Sequence, residues 1–274
     1  MKKIIKYMLE EDEGFEDVTS NALIDSDKIA IGEIISKDNG ILAGIDIIRD
    51  IFNSKNIAII DSLKEGSEIY EGDVILKVKG NALDILLLER TVLNLLMRMS
   101  GVATAANDLV NLVKDHNVII AGTRKTSPAI SKFDKYALKV GGADTHRFAL
   151  DDMVLIKDNH IAIVGSPLKA LKKAQKNISF SKKIEIEVET LEDAICCVEN
   201  KADIVMLDNM SPTEVKEVLT NLNKLNIRNN SLIEVSGGIT KENILDYALL
   251  NVDIISLGAL THSTDSLNFS LNLV

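Results

Sequence analysis

The sequence predicts an α/β protein in which a small α+β domain precedes an α/β barrel. Short apolar runs alternate with helical patterns through residues 106–263, which is typical of parallel strands joined by helical crossovers. Residues 1–105 differ, because turn signals separate their strand-like runs and a long apolar helical stretch follows. At 274 residues the chain can bury a sizeable core, in one large domain or two modest ones.

The first domain begins with a helix, predicted from MKKIIKYMLEEDEG, whose short apolar segment runs into acids and does not suit a signal peptide. Two strand-rich stretches follow at 28–44 and 56–80, and the DNG tripeptide at 38–40 is typical of a hairpin turn. The stretch 82–104 is apolar nearly all round and predicts a buried helix. The last residues, 264–274, predict one more strand, which we expect to join this domain.

Six short apolar runs predict the strands of the barrel: 118–122, 153–157, 184–189, 203–208, 232–237 and 253–258. Ser166 before Pro167, and the capping box from Ser211 to Glu214, predict helix starts between them. A complete barrel has eight strands, so this one is either incomplete or includes strands that the pattern does not reveal. Polar residues follow nearly every strand, and barrels build their sites at those carboxyl-terminal ends.

Composition limits the class of partner. The net charge of −10 and the pI near 5.0 argue against nucleic-acid and anionic-membrane partners, which require a basic surface. No apolar stretch approaches the ~20 residues of a membrane span. The only two cysteines are adjacent, which suits buried thiols in a reducing compartment. We therefore expect a cytoplasmic protein with no nucleic-acid or membrane partner.

Charged side chains gather at the predicted strand ends. The cationic set consists of Arg90, Arg124, Lys125, His146, Arg147 and Lys157. In an acidic chain this set predicts a local pocket for a small polyanion. Strict alternation in IEIEVE places Glu185, Glu187 and Glu189 on one face, where a barrel interior would require cations beside them. Glycines at the last two strand ends suit phosphate binding through backbone N–H groups.

Several other classes of site lack their motifs. The chain contains neither GxxxxGK[ST] nor GxGxxG, so P-loop and Rossmann nucleotide binding are unsupported. His146 and His160 lack the spacing of a zinc site. Two alternatives remain open on the residues alone: a lyase that uses Lys125 or Lys157 as a Schiff base, and a noncatalytic anion-binding protein.

Eight segments together carry a family resemblance. They are EDEGFEDVTS (11–20), ERTVLNLLMRMSGVAT (89–104), TRKT (123–126), HR (146–147), LIKDNH (155–160), VMLDN (205–209), SGGI (236–239) and SLGALTHS (256–263). In this order they resemble the quinolinate phosphoribosyltransferase family, also called carboxylating nicotinate-nucleotide pyrophosphorylases. The resemblance covers nearly the whole chain.

The resemblance implies a fold and a reaction. The fold is an N-terminal α/β sandwich domain (1–105, joined by strand 264–274) and an incomplete six-stranded α/β barrel (106–263), in a homodimer with shared active sites that can assemble further. The reaction transfers phosphoribosyl from phosphoribosyl pyrophosphate to quinolinate with decarboxylation. Its products are nicotinate mononucleotide, pyrophosphate and CO2, in NAD biosynthesis, with Mg²⁺ as cofactor.

The resemblance also assigns residues. Quinolinate would be bound by Arg124, Lys125, Arg147 and Lys157, with His146 beside them and Arg90 supplied by the partner subunit. Glu187 and Asp208 would lie near the ribose and the magnesium, as metal ligands directly or through magnesium pyrophosphate. Ser236, Gly237, Gly238 and Gly258 would hold phosphate. Lys125, Glu187 and Asp208 would be the catalytic residues.

The sequence departs from the family pattern at Glu16, Gly122, Thr145 and Asn268, where the family commonly has glycine, aspartate, asparagine and aspartate. It also lacks the usual proline-glycine in SPAIS (127–131). The cationic positions are all kept. These departures leave the identity of the acid acceptor open. The alternative assignment is therefore to the related phosphoribosyltransferase-like proteins associated with molybdenum transport.

Overall fold

The computed structural model describes residues 1–274, which group into two compact units. The first comprises 1–108, 126–142 and 260–274, and the second comprises 109–125 and 143–259. The domain limits at 105 and 263 stay a prediction. The segment 126–142, which we assigned to the barrel from the sequence, groups with the first unit in the structure.

The strands of the first unit are β1 (Ile29–Ser36), β2 (Gly40–Ile41), β3 (Ala58–Ser62), β4 (Glu68–Ile69), β5 (Val74–Asn81) and β12 (Phe269–Leu273). Its helices are α1 (Lys2–Glu13), α2 (Val18–Leu23), α3 (Ile45–Ser54), most of α4 (Ala82–Leu112) and α5 (Ser131–Val140). Four strands form an antiparallel sheet in the order β12-β1-β5-β3. The chain terminus thus pairs with β1.

The long helix α4 supplies much of the core of this unit. Its side chains Ile85, Leu88, Val92, Leu96 and Met99 are all buried. This confirms the buried helix that its apolar surface predicts. The burial also explains why α4 extends to 31 residues, since packing rather than helix propensity stabilises most helices in proteins.

The hairpin predicted at 38–40 is wrong in its pairing. The chain turns there, but β1 pairs with β5 and β12, while β2 pairs with β4. Both edges of β1 are therefore occupied by strands distant in sequence. The turn is held instead by Asn39, whose side-chain oxygen accepts a hydrogen bond from the Glu71 N–H at 2.8 Å.

The strands of the second unit are β6 (Ile119–Ala121), β7 (Val154–Ile156), β8 (Ile184–Val188), β9 (Ile204–Asp208), β10 (Leu232–Ser236) and β11 (Ile254–Ser256). Its helices are α6 (Asp158–Val164), α7 (Pro167–Asn177), α8 (Leu191–Glu199), α9 (Pro212–Lys224), a 3₁₀ turn (Arg228–Asn230) and α10 (Ile244–Ala248). A last short helix, α11 (Ala259–His262), begins where the chain passes from the second unit to the first.

The six strands form one parallel sheet in the order β7-β8-β9-β10-β11-β6. From β7 to β11, each strand lies beside the next one in the chain. The first strand, β6, pairs with the last, β11. The sheet therefore curls into an incomplete six-stranded α/β barrel, open between β6 and β7. All six predicted strands are confirmed.

The predicted helix starts are confirmed as well. The Ser166 hydroxyl accepts a hydrogen bond from the Lys169 N–H at the start of α7. At α9, Ser211 and Glu214 exchange hydrogen bonds as a capping box. None of the helices combines the length and the hydropathy that a membrane span requires.

Candidate active site

A cavity of about 310 Å³ lies at the carboxyl-terminal ends of the barrel strands. Eight of the residues singled out in the sequence line it: Arg124, Lys125, His146, Arg147, Lys157, Glu187, Asp208 and Ser236. These side chains, far apart in sequence, therefore converge in one place. Their roles in binding and catalysis stay predictions.

The strand ends explain the convergence. Lys157 follows β7 directly, Glu187 is the fourth residue of β8, and Asp208 and Ser236 end β9 and β10. Parallel strands place their carboxyl ends at one rim, so each exit contributes to the same cavity. Arg124 and Lys125 come from the loop after β6.

The cationic side of the cavity is crowded. Arg147 is buried, and burial lowers the pKa of its guanidinium, with the charge of Arg124 lowering it further. Glu185 and Asp152 oppose this effect by favouring the charged form. Like charges held this close favour an anionic ligand between them, which arginine and lysine can bind through charge-assisted hydrogen bonds.

The acidic side is formed by Glu187 and Asp208. Glu187 forms an ion pair with the Lys157 ammonium. Burial raises the pKa of Asp208, and the neighbouring charge of Glu187 raises it further. The Asn209 amide donates a hydrogen bond to Asp208 Oδ2 at 2.6 Å.

These two carboxylates fit a magnesium ion. Burial is the main cause of the raised pKa of Asp208, the charge of Glu187 adds to it, and the charges of Lys157 and Lys125 lower it. A cation beside the two carboxylates would favour their ionised form. Magnesium in proteins is commonly held by one or two carboxylates and completed by substrate phosphates and water. Glu187 and Asp208 match that pattern, in which the ion arrives with a phosphorylated substrate.

The row of glutamates on β8 runs from the barrel interior to the rim. Glu185 is fully buried, Glu187 is half-buried and Glu189 is exposed. As the alternation predicts, the two deeper members contact cations: Glu185 contacts His146, and Glu187 contacts Lys157. The strand thus presents acids at three depths along one face.

His146 lies between two buried glutamates. Its Nε2 donates to Glu234 Oε2 at 3.2 Å and lies 3.2 Å from Glu185 Oε2. Burial lowers the pKa of His146, but the contacts with Glu185 and Glu234 outweigh burial and raise the pKa to about 10. Burial also raises the pKa of Glu185.

Sequence reasoning missed Glu234. The signal was available in LIEVSG, because Glu234 precedes Ser236 by two residues and so shares its face of β10. A single glutamate in an apolar strand nevertheless names no partner. Only the sheet order, with β10 two strands from β8, brings Glu234 to His146.

The remaining predicted residues lie outside the cavity lining. Gly237 and Gly238 follow β10 and have φ angles of 88° and 62°, which glycine adopts without strain. Gly258 follows β11. Arg90 belongs to the first unit, where it is exposed on α4 with its guanidinium 3.9 Å from Glu89.

Comparison with known proteins decides the family. The model of the quinolinate phosphoribosyl transferase N-terminal domain matches residues 17–100, and that of its C-terminal domain matches residues 102–272. The chain belongs to this family. The predicted family is therefore confirmed, over both halves of the chain.

The relatives match this chain over most of their own length. A probable carboxylating nicotinate-nucleotide pyrophosphorylase of Methanocaldococcus jannaschii is 49% identical over 276 residues, which cover 99% of this chain and 96% of that protein. The corresponding protein of Bacillus subtilis is 38% identical over 100% of this chain and 93% of its own. The crystal structure of NadC from Streptococcus pyogenes matches with a TM-score of 0.93 at 36% identity, covering 100% of this chain and 96% of that one. The predicted fold class is thereby confirmed.

Proposed function

We propose that this quinolinate phosphoribosyltransferase family member is a pentosyltransferase that transfers phosphoribosyl from phosphoribosyl pyrophosphate to quinolinate. Decarboxylation follows and yields nicotinate mononucleotide, pyrophosphate and CO2, a step of NAD biosynthesis. One observation carries the proposal: four cations, Arg124, Lys125, Arg147 and Lys157, share a cavity with Glu187 and Asp208. Relatives at 38–49% identity carry the name of this activity.

The cations would offset the electrostatic repulsion between the two anionic substrates. Quinolinate carries two carboxylates, and its cosubstrate carries a pyrophosphate and a phosphate. Two like charges 4 Å apart repel by about 4 kcal/mol at the effective dielectric of a protein surface. Arg124 and Arg147 suit the carboxylates through two-point contacts, while Lys125 and Lys157 add compact positive charge. Binding both substrates side by side is then possible.

The acids suit the charge that develops during transfer. The ring nitrogen bonds to the ribose carbon as the bond to pyrophosphate breaks, and positive charge builds on the ribose. Carboxylates of Glu187 and Asp208 stabilise such a charge where they are already positioned. Bound Mg²⁺ would neutralise negative charge on the pyrophosphate oxygens. Glu187 and Asp208 would hold that ion directly or through the pyrophosphate.

Loss of CO2 then requires little further chemistry. The carbon–carbon bond to the neighbouring carboxylate breaks, and its electron pair stays on the ring carbon until a proton adds. The adjacent ring nitrogen, now cationic, stabilises that electron pair. The protein's contribution is to position the ring and balance its charge, a task we assign to Lys125 and its cationic neighbours.

The loops after β10 and β11 are assigned to phosphate. Ser236, Gly237, Gly238 and Gly258 offer a hydroxyl and backbone N–H groups where barrels commonly bind phosphate. A Cβ at Gly237 would lie 2.2 Å from Asn209 Oδ1, so a side chain there would displace Asn209. Glycine permits this close packing of Asn209 against the loop.

The homodimer and the cytoplasmic location belong to the same proposal. Arg90 is exposed in the first unit and would complete the active site of the partner subunit. Large apolar side chains are exposed near the amino terminus at Phe15, Val18 and Leu23, which suits burial against another copy.

The test is a product assay with the purified protein. Quinolinate, phosphoribosyl pyrophosphate and Mg²⁺ should give nicotinate mononucleotide, pyrophosphate and CO2 in equal amounts. Turnover of another acid with no reaction of quinolinate would favour the molybdenum-associated rival. Tight quinolinate binding without product would favour a noncatalytic anion-binding protein. Borohydride trapping of Lys125 or Lys157 with a carbonyl substrate would favour the lyase.

A further inference from the structure

The cluster of His146, Glu185 and Glu234 lies beneath the cavity cations. Both glutamate side chains are fully buried, and the His146 side chain is 11% exposed. His146 and Glu234 also line the cavity. None of the assigned binding or catalytic roles uses the two glutamates, so their presence requires its own explanation.

Burying these acids is costly. Glu185 Oε1, Glu185 Oε2 and Glu234 Oε1 have no hydrogen-bond partner within the protein. Replacing buried charges by apolar residues is often neutral or stabilising, so core stability alone does not account for two glutamates here. Their shared contact is His146 Nε2, at 3.2 Å from one oxygen of each.

The backbone also acts to place this imidazole. His146 has a φ of 51°, in the left-handed region that non-glycine residues rarely adopt. Asp144 Oδ1 accepts a hydrogen bond from the His146 N–H at 2.6 Å and supports that conformation. Strained residues held in this way concentrate at functional positions.

The ring orientation leaves one nitrogen for a ligand. Nε2 is directed at the glutamates, while no protein group forms a hydrogen bond with Nδ1. The charged groups that face the ring are Glu185 from β8 and Glu234 from β10. Arg147 is next in the chain, and its charge interacts with that of Glu185. An imidazole held as a cation at Nε2 carries a second N–H at Nδ1.

We propose that Glu185 and Glu234 are positioning residues that hold His146 as a doubly protonated imidazolium, whose Nδ1–H donates to a carboxylate of the acidic acceptor. The acceptor's identity rests on the proposed function, but the charge state of His146 does not. The same three groups lie within 4.8 Å of one another and could instead hold a metal ion. A metal would occupy Nε2 and leave the ring without its Nε2 proton.

The first test reads the imidazole directly. Nitrogen-15 NMR spectra are recorded on histidine-labelled protein without substrate at about pH 8.5. This pH is roughly two units above the ordinary histidine pKa, so an unperturbed ring would be neutral. His146, assigned by loss of its signals in His146→Gln, should show both ring nitrogens protonated, and Glu234→Gln should remove one proton. A neutral or metal-bound ring in the unmodified protein overturns the proposal, whether or not the protein turns over quinolinate.

The second test is kinetic. Glu185→Gln and Glu234→Gln should each raise KM for quinolinate by about tenfold or more, the effect of a lost charge-assisted hydrogen bond, while KM for phosphoribosyl pyrophosphate changes by less than about twofold. Glu217→Gln, the same change on the exposed face of α9, should leave both values unchanged. Circular dichroism checks that each variant is folded.

A double-mutant cycle separates a role through His146 from a general structural one. In the His146→Gln background, Glu234→Gln should have no further effect on KM for quinolinate. An equal rise in both backgrounds overturns the proposal. Absence of turnover in the unmodified protein would count against the proposed function alone, since the NMR result would still decide the state of His146.

Discussion

At the scale of single residues, contacts between buried charges determine the chemistry of the cavity. Contacts with Glu185 and Glu234 raise the pKa of His146, and burial raises the pKa of Asp208, with the charge of Glu187 raising it further. His146, Glu185 and Asp208 were singled out in the sequence, but Glu234 was missed. The ionisation of these groups could not be predicted, since it depends on burial and on partners from other strands.

The raised pKa of His146 predicts how stability varies with pH. The folded-state pKa of about 10 lies above the ordinary 6.5, so the cluster stabilises the fold fully below pH 6.5. That contribution is lost as the pH rises through 10. Urea unfolding should therefore show the free energy of unfolding falling from pH 7 to 10, relative to a variant with His146→Gln, Glu185→Gln and Glu234→Gln. Parallel pH profiles for the two proteins would refute the ion cluster.

At the scale of secondary structure elements, apolar runs predicted the six barrel strands because buried parallel strands are continuously apolar. The turn at 38–40 was misread because a turn signal does not say which strands pair. The strands β1 and β2 find their partners far away in the chain. Long-range pairing of this kind is decided by the whole sheet.

The loop after β10 offers a test of the phosphate assignment. Gly237→Ala would force a Cβ to 2.2 Å from Asn209 Oδ1 at a φ of 88°. We expect KM for phosphoribosyl pyrophosphate to rise about tenfold or more, with a smaller change for quinolinate. Gly165→Ala is the control, since its φ of 104° is similarly strained but nothing lies within 4 Å of the added Cβ. Unchanged kinetics in a folded Gly237→Ala protein would remove this loop from the site.

The contact between α4 and α5 should govern the stability of the first unit. Asp134 is fully buried and receives hydrogen bonds from Arg98 Nε and Nη2 at 3.0 and 3.1 Å, and from Thr126. Removing one member of a buried pair costs about 3–5 kcal/mol, so Asp134→Asn should lower the free energy of unfolding by about 3 kcal/mol. Chemical denaturation measures this change in the free energy of unfolding, and Asp50→Asn, at an exposed position, is the control. A loss below about 0.5 kcal/mol would contradict this role.

At the scale of the whole molecule, the family resemblance predicted both the fold and the grouping of site residues. The segment 126–142 was harder to assign, because it follows a barrel strand in sequence yet packs its Asp134 against Arg98 of α4. Arg90 belongs to the first unit, and its assignment to the active site of a partner subunit stays a proposal.

The proposed sharing of each active site between two subunits predicts complementation. Arg90→Ala and Lys157→Ala proteins should each be nearly inactive, because each removes a cation from every site. A mixture allowed to exchange subunits should regain activity, since some mixed dimers hold one site with both residues intact. Activity of the mixture is measured against each protein alone at the same total concentration. No recovery after proven subunit exchange would contradict a site built from two chains.

The cationic cavity is tested most directly by the turnover of Lys157→Ala with quinolinate and phosphoribosyl pyrophosphate. Loss of a cation beside anionic ligands costs about 2–5 kcal/mol, so kcat/KM should fall by about two orders of magnitude or more while circular dichroism stays unchanged. Lys125→Ala should behave alike, and Lys216→Ala, on the exposed face of α9, should retain full activity. A folded Lys157→Ala protein with unchanged kcat/KM would contradict the placement of the site in this cavity.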